Sequence, residues 1–587
     1  MDSRWNLSEI FATDGDFNTE AAALDTEIFP AFRARMQTVD SPESLAVLFG
    51  GLDAITRRVN HIQSYASQKA DLDARDPAAA AQRVRAQNIF VDYSLIQSSL
   101  RSFLLSKDRS FWDALLSAPA LIPWRRTLGL IQQRAGHCLS DGDEALLAPS
   151  NEALNNIQNV FTTLSYSEMP WRTVQDPDGR EVMANYANYS HAMHSPDRAY
   201  RETYYRTFLG TVSSYAGTFA QNLSSYAILS EQLARQHRYA SLLDSQMQQS
   251  ELDPSVYECL IEGARANSGI LRREFDIRRR ALGFDRLYTW DKVAPIGKTA
   301  APSYSYEDAQ RAIEGALSVL GTDYVSTLKK AFSEGWIDLC PAPAKATGAY
   351  SGGAIDIHPW ILSNFTGDYG SVSTLAHELG HAVHQARSYA AQKSEASRDV
   401  QPLSTEVCSI ANEILLADWL IGQAASPGQK LFFVQQELNL LRNTFFSQVF
   451  YADFEREYHR FSEKNEALTA RALSSLYLKI SAIYYPGYEQ AEPEASFWAL
   501  IPHFYYNYYL YSYAVDVCAA CSVAGRIAAG DRALLASYQR FLSAGSSQSS
   551  IELFRTLGID LTGPGYIRAL TDRFAALLDI EESLIGV

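Results

Sequence analysis

His377-Glu378-Leu379-Gly380-His381 sets two imidazoles four residues apart with a carboxylate beside the first. On a helix that spacing brings both rings to one side, one turn apart, where they can converge on a single tetrahedral zinc ion. Glu378 directly follows the first ring, close enough to act on a water at that metal without taking a ligand position. The chemistry such a set serves is hydrolysis. In a chain with 11 histidines among 587 residues, a chance H-E-x-x-H is expected roughly 0.01 times, so accident is the weaker reading.

A hydrolytic zinc takes three protein ligands and keeps a fourth position open. Ser404-Thr405-Glu406 opens another amphipathic stretch, with Val407, Ile410, Ala411, Ile414 and Leu415 on one side. Glu406 in its first turn is the expected third ligand. The competing reading is a carboxylate that only favours a helix N-terminus. Glu413, two turns further on the same face, is placed to accept a hydrogen bond from a ligand imidazole, or else is a surface charge. His384, one turn past His381, is surplus to a three-ligand site and is expected to pack or hydrogen-bond.

Helices must hold these residues, and the pattern provides them. Asp368-Tyr369-Gly370-Ser371 offers a turn and cap, after which Val372, Leu375, Ala376, Leu379, Ala382 and Val383 form an apolar face. Ser41-Pro42-Glu43-Ser44 starts another helix running through Leu45, Leu48, Phe49, Leu52, Ile55, Val59 and Ile62. Similar stretches recur and alternating runs are scarce, so the chain is expected to be mainly α. Residues 341–353 are rich in helix breakers and precede Ala354-Ile355-Asp356-Ile357 and Ile361-Leu362-Ser363-Asn364-Phe365. That pattern predicts a loop and then a small β-sheet beside the metal helix, with a strand able to pair with an extended peptide. Met169 to Met183 reads as two short extended pieces joined at Asp176-Pro177-Asp178-Gly179. A division is expected near residue 200, giving an N-terminal helical lobe over 1–200 and a catalytic region over 201–587.

Composition narrows the setting. A chain that is 47% hydrophobic and 20% charged can bury a large core in two or more lobes. The start lacks a basic, apolar leader, no apolar run is long enough to span a bilayer, and six cysteines are too few for a disulfide scaffold. A cytoplasmic protein without a membrane partner is expected. Cys518 and Cys521 have C-x-x-C spacing but sit among small apolar residues, which favours helix packing over metal binding. A net charge of −16 repels polyanions and excludes nucleic acid as a natural partner.

Far downstream, Ile501-Pro502-His503-Phe504-Tyr505-Tyr506-Asn507-Tyr508-Tyr509-Leu510-Tyr511-Ser512-Tyr513 concentrates phenols around a histidine. Such density can be core or interface. Beside a hydrolytic metal motif it also offers neutral donors for the oxyanion formed when water attacks a peptide carbonyl. His503 and at least one tyrosine are expected to serve there, and composition does not say which tyrosine.

Taken together, these blocks resemble peptidase family M3, in its oligoendopeptidase F branch. The resemblance rests on Thr347-Gly348-Ala349-Tyr350-Ser351-Gly352-Gly353, His358-Pro359-Trp360-Ile361-Leu362-Ser363-Asn364, Thr374 to His381, Ser404-Thr405-Glu406-Val407, Asn412-Glu413 and His503-Phe504-Tyr505-Tyr506, which occur in family order. It implies a two-lobed helical body around a deep internal channel, one zinc per chain held by His377, His381 and Glu406, and Glu378 as base. It also implies short unstructured peptides as substrates, cut at internal bonds. It sets His503 and the following tyrosines near the scissile carbonyl, Tyr511 foremost, with Tyr505 and Tyr508 beside it. The branch usually carries Pro and Phe where this chain has Asn507 and Tyr508. An exopeptidase would need groups that grip a substrate terminus. A non-catalytic peptide-binding scaffold would be expected to have lost a ligand or the base, and here all four residues are present.

Overall fold

The computed structural model describes residues 4–464 and 467–586. Helices account for 73% of the chain, as the periodicity predicts. The chain forms two compact units, each assembled from three stretches: Met1–Asp141, Pro302–Trp419 and Val523–Ile559 in the first, and Gly142–Ala301, Leu420–Ser522 and Asp560–Val587 in the second. Residue 200, where a division was expected, lies within the helix Arg198–Ser213 of the second unit. Among the described residues, no helix is long and apolar enough to cross a membrane.

In the first unit, helix α1 (Pro42–Leu72) begins at the anticipated cap. The Ser41 hydroxyl accepts the Ser44 N–H, and the Ser44 hydroxyl accepts the Ser41 N–H in return, which satisfies two otherwise orphaned backbone donors. Leu45, Leu48, Ile55, Val59 and Ile62 of α1 share one buried cluster with Ile89, Ile96 and Leu100 of α2 (Pro77–Leu105).

A three-stranded sheet follows, made of β1 (Ile337–Asp338), β2 (Tyr350–Gly353) and β3 (Pro359–Leu362). The central strand β3 runs parallel to β1 and antiparallel to β2, pairing Ser351 with Ile361 and Gly353 with Pro359. The sheet expectation holds, but its strands are displaced from those anticipated. Ala354 to Ile357 form the turn between β2 and β3, closed by the Ile357 N–H on the Ala354 carbonyl at 3.2 Å, with Asp356 at φ +68°. Ala354 and Ile355 are buried there for another reason. Ile355 packs toward α1, its N–H donating to Asn60 Oδ1 at 2.8 Å and its carbonyl meeting His61 Nε2 at 2.6 Å. The glycine-rich segment takes the edge-strand place instead, because a Cβ on Gly353 would stand 2.9 Å from Pro359 Cα and 3.2 Å from Gln385 Oε1.

Beyond the sheet come α3 (Tyr369–Ala391), α4 (Thr405–Gln423) and α5 (Arg532–Ala544), which packs against α3. Asp368 caps α3 by accepting the Ser371 N–H at 2.7 Å. The anticipated apolar face is buried, with Val372, Leu375, Ala376, Leu379 and Ala382 all 0% exposed.

In the second unit, Thr173–Gln175 and Glu181–Met183 form the expected antiparallel hairpin. The turn is stabilised by Asp176, whose carboxylate accepts the Asp178 and Arg180 N–H groups. Cys518 and Cys521 are buried on the helix Tyr511–Ala528, in keeping with packing. The helix Gln448–Glu463 carries Glu455, fully buried, with one carboxylate oxygen accepting the Tyr508 N–H at 2.7 Å.

Burial pushes the Glu455 carboxyl up to about 8, against the smaller opposing effect of the Tyr508 and Tyr458 hydrogen bonds. An acid whose folded pKa exceeds its unfolded value binds more protons when folded, so its contribution to stability falls as pH rises between the two. Wild type should therefore lose stability relative to Glu455→Gln between about pH 4.5 and pH 8. Urea unfolding of both proteins at pH 5 and pH 8.5 measures this; a constant difference between them would refute it.

Candidate metal centre

Within the first unit, α3 and α4 cross closely enough to bring His377, His381 and Glu406 together. A Cβ on Gly380 would lie 2.7 Å from Ser409 Cα and 2.9 Å from the Cys408 carbonyl oxygen, so only glycine lets α4 approach that near. Asn412, fully buried, locks the crossing. Its amide donates to the Ala376 carbonyl at 2.9 Å and its carbonyl accepts the Tyr324 hydroxyl at 2.9 Å.

The resulting triangle has His377 Nε2 and His381 Nε2 3.2 Å apart, and Glu406 Oε2 3.2 Å from the first and 3.3 Å from the second. A tetrahedral ion with ligands about 2.0–2.1 Å away separates neighbouring donors by about 3.3–3.4 Å. The two imidazole nitrogens and the carboxylate oxygen therefore form nearly the face that zinc requires, and the donor set suits that metal. Orientation of the donors is built in. His377 Nδ1 meets Glu413 Oε1 at 2.7 Å, and the Ser373 hydroxyl donates to Glu413 Oε2 at 2.8 Å. With Nδ1–H donated to Glu413, the lone pair of Nε2 faces the centre of the triangle. The Ser409 hydroxyl donates to the same Glu406 oxygen at 2.7 Å.

The carboxylates and imidazoles of the cluster stabilise one another's charge. Burial disfavours a charged His377, but its hydrogen bonds to the Glu406 and Glu413 carboxylates outweigh it and hold its pKa well above the ordinary value. Burial likewise opposes an ionised Glu406, yet the hydrogen bonds from His377 and His381 keep its pKa low. Glu378 lines the same cavity of about 490 Å³ as the three candidate ligands, together with Tyr350, Ser351 and Tyr389. Burial raises its pKa, partly offset by the two imidazoles. His384 also borders that cavity but is 3% exposed, with Nδ1 3.4 Å from Cys408 Sγ and its ring stacked on Phe541. Burial lowers its pKa to about 3, so it stays neutral.

The aromatic block belongs to the second unit. His503 sits in the turn Pro502–Tyr505, half-buried between the rings of Tyr506 and Tyr513, and burial lowers its pKa. Tyr505, Tyr508 and Tyr511 are each at most 4% exposed. The Tyr505 hydroxyl accepts the Asn222 amide at 3.0 Å, and Tyr508 stacks on His459 with centroids 4.9 Å apart. Tyr511 packs edge-on against Tyr257, and burial pushes its phenol up to about 12, against a hydrogen bond with Ser250. Tyr506 and Tyr509 point outward, 47% and 38% exposed. Asn507 and Tyr508 both take left-handed backbone, at φ +45° and +56°. Proline cannot adopt that conformation, so the branch's usual Pro at this point could not be accommodated here without a different local backbone.

Gly380, Ser373, Ser409 and Asn412 escaped the reading of residue types. Helical spacing holds a faint trace of three of them: Ser373 is four residues before His377, Ser409 three after Glu406, and Asn412 adjoins Glu413. Gly380→Ala should force α3 and α4 apart, weaken zinc binding and destabilise the protein by about 1–3 kcal/mol. Glu413→Gln should keep the fold but weaken zinc binding about 10- to 100-fold. Competitive chelator titration with a parallel melting curve checks both; wild-type affinity in either variant would refute its assignment.

Comparison with known proteins bears on the whole chain. The model of peptidase family M3 matches residues 191–570, and that of oligopeptidase F matches residues 104–170. Oligopeptidase PepF of Bacillus subtilis is 28% identical over 585 residues, covering 99% of this chain and 87% of that protein. Group B oligopeptidase PepB of Streptococcus agalactiae is 28% identical, covering 99% and 97%. A crystal structure of a Chlamydophila abortus protein superposes with a TM-score of 0.91 at 29% identity, over 99% of this chain and 98% of that one. With a family model spanning most of its length and relatives aligned end to end, the chain belongs to peptidase family M3, in its oligopeptidase F branch, and is a metalloendopeptidase.

Proposed function

We propose that this protein is a cytoplasmic zinc oligopeptidase that hydrolyses internal bonds of short, unstructured peptides. The observation that carries the reading is the triangle of His377, His381 and Glu406, edged at 3.2–3.3 Å, with Glu378 on the same cavity wall. Zinc held by those three residues would supply Lewis acidity and make water nucleophilic near neutral pH. Glu378 accepts the proton that water gives up and returns it to the leaving amine. A neighbouring carboxylate already committed to two imidazoles, Glu406, is unsuited to that exchange, which leaves Glu378 as the base.

Substrate positioning falls to β2. It is an edge strand whose Tyr350 and Ser351 line the cavity, so an extended peptide can add to it through main-chain hydrogen bonds. His503 and Tyr511 act as neutral donors to the carbonyl oxygen as negative charge develops. Tyr505 and Tyr508 support that pair by anchoring the block through Asn222 and His459.

Digestion of a mixed library of short peptides, free and end-blocked, with masses read out and a chelator control, tests the reading as a whole. Blocked peptides should be cut internally, and chelation should abolish cleavage. Persistent cleavage under chelation would remove the metal mechanism, and cleavage confined to free termini would make the enzyme an exopeptidase. Glu378→Gln should retain zinc yet lose nearly all turnover. Tyr511→Phe should lower kcat more than it raises KM, by the equivalent of about 2–4 kcal/mol; an unchanged kcat there, with a loss in Tyr506→Phe, would transfer the role to the outward-facing phenol.

A further inference from the structure

A second cavity, of about 370 Å³, lies wholly within the second unit. Eight aromatic rings line it, among them Tyr451, Tyr477 and Tyr485. Its volume falls at the low end of the range for small-molecule sites, about 300–1,000 Å³, which suits an amino acid or dipeptide and not a longer chain. None of the residues assigned to the metal centre contributes to it.

Two residues of fixed charge reach this aromatic wall, and their signs are opposite. Glu494 is 6% exposed and its Oε2 accepts the Thr289 hydroxyl at 2.5 Å. Three other buried acids of the unit meet guanidinium groups, Asp291 with Arg201, Asp453 with Arg265 and Glu274 with Arg442, whereas Glu455 is held by the Tyr508 N–H. Glu494 meets a hydroxyl instead. Burial raises its pKa, a rise opposed by Thr289 and by the field of Lys292. Lys292 lies over the face of Tyr485, its ammonium 3.8 Å from the ring centroid. Among the described residues the two charges form no salt bridge with each other, so each can take a partner of its own inside the cavity. A carboxylate and an ammonium lining one aromatic cavity without a salt bridge between them match a molecule carrying the complementary pair and an apolar side chain.

We propose that this cavity is a binding site for small apolar zwitterions, free amino acids such as phenylalanine or dipeptides of the same character. The ligand ammonium meets Glu494, its carboxylate meets Lys292, and its side chain lies against Tyr451 and Tyr477. No residue given a role in the proposed peptidase chemistry lines it, and its test reads binding alone.

Calorimetric titration of the full-length protein with L-phenylalanine should give saturable binding. N-acetyl-L-phenylalanine, which lacks the ammonium, and L-phenylalaninamide, which lacks the carboxylate, should each bind at least tenfold more weakly. Glu494→Gln and Lys292→Met should each weaken L-phenylalanine binding by at least tenfold, with Lys292→Met decisive if Glu494→Gln fails to fold. Absence of binding to wild type would overturn the proposal. So would unchanged affinity in Lys292→Met or a folded Glu494→Gln, as expected of binding at the metal centre, or equal affinity for either blocked analogue.

Discussion

The candidate site depends on how near two helices can come. His377 and His381 share a face of α3 by helical geometry, but that supplies only two donors. The third comes from α4, and its oxygen stands 3.2–3.3 Å from both imidazoles because Gly380 offers no side chain where the backbone of Cys408 and Ser409 passes. The Asn412 bond to the Ala376 carbonyl fixes the same crossing. A chain with every named ligand but a larger residue at position 380 would hold the right groups at the wrong separation. Glu413 then depends on that crossing in turn, since it reaches His377 only from a helix packed this tightly.

Much of this was legible in the residues, and where it was not there is a physical reason. The caps at Ser41 and Asp368 follow from side chains that accept specific backbone N–H groups, a local rule that needs no knowledge of the fold. That His377 and His381 share one face of α3 was legible for a related reason, since helical spacing alone fixes which side chains do so. The sheet was placed a few residues off because Ala354, Ile355 and Ile357 have strand-like side chains. Ile355 is instead held by Asn60 and His61 of α1, nearly three hundred residues away in sequence. The composition of each unit from three separated stretches has the same origin: it is made by long-range contacts, and no linker or change in composition marks it.

The aromatic block shows a different limit. A strand or helix has a period from which inward and outward residues can be told apart. Between Pro502 and Tyr511 the backbone passes through a tight turn and then two left-handed residues, so no period exists to read. Five tyrosines accordingly divide by backbone path alone, with Tyr505, Tyr508 and Tyr511 turned inward and Tyr506 and Tyr509 outward. Asparagine tolerates the left-handed region better than most residues; Tyr508 is held in it by the Glu455 carboxylate on its N–H and by the face of His459.

The metal centre and the aromatic cavity treat buried charge by one rule. An ionised group removed from water must find compensation or give up its charge. Around α3 the compensation is mutual, with Glu413 and Glu406 each meeting imidazole. Arg201, Arg265 and Arg442 show the complete form of the same rule, since each neutralises its acid directly. Glu494 and Lys292 are the incomplete form: each is tied to a neutral partner, a hydroxyl or a ring, and both line an open volume. In such a protein a place where compensation is unfinished is where a ligand gains most by binding.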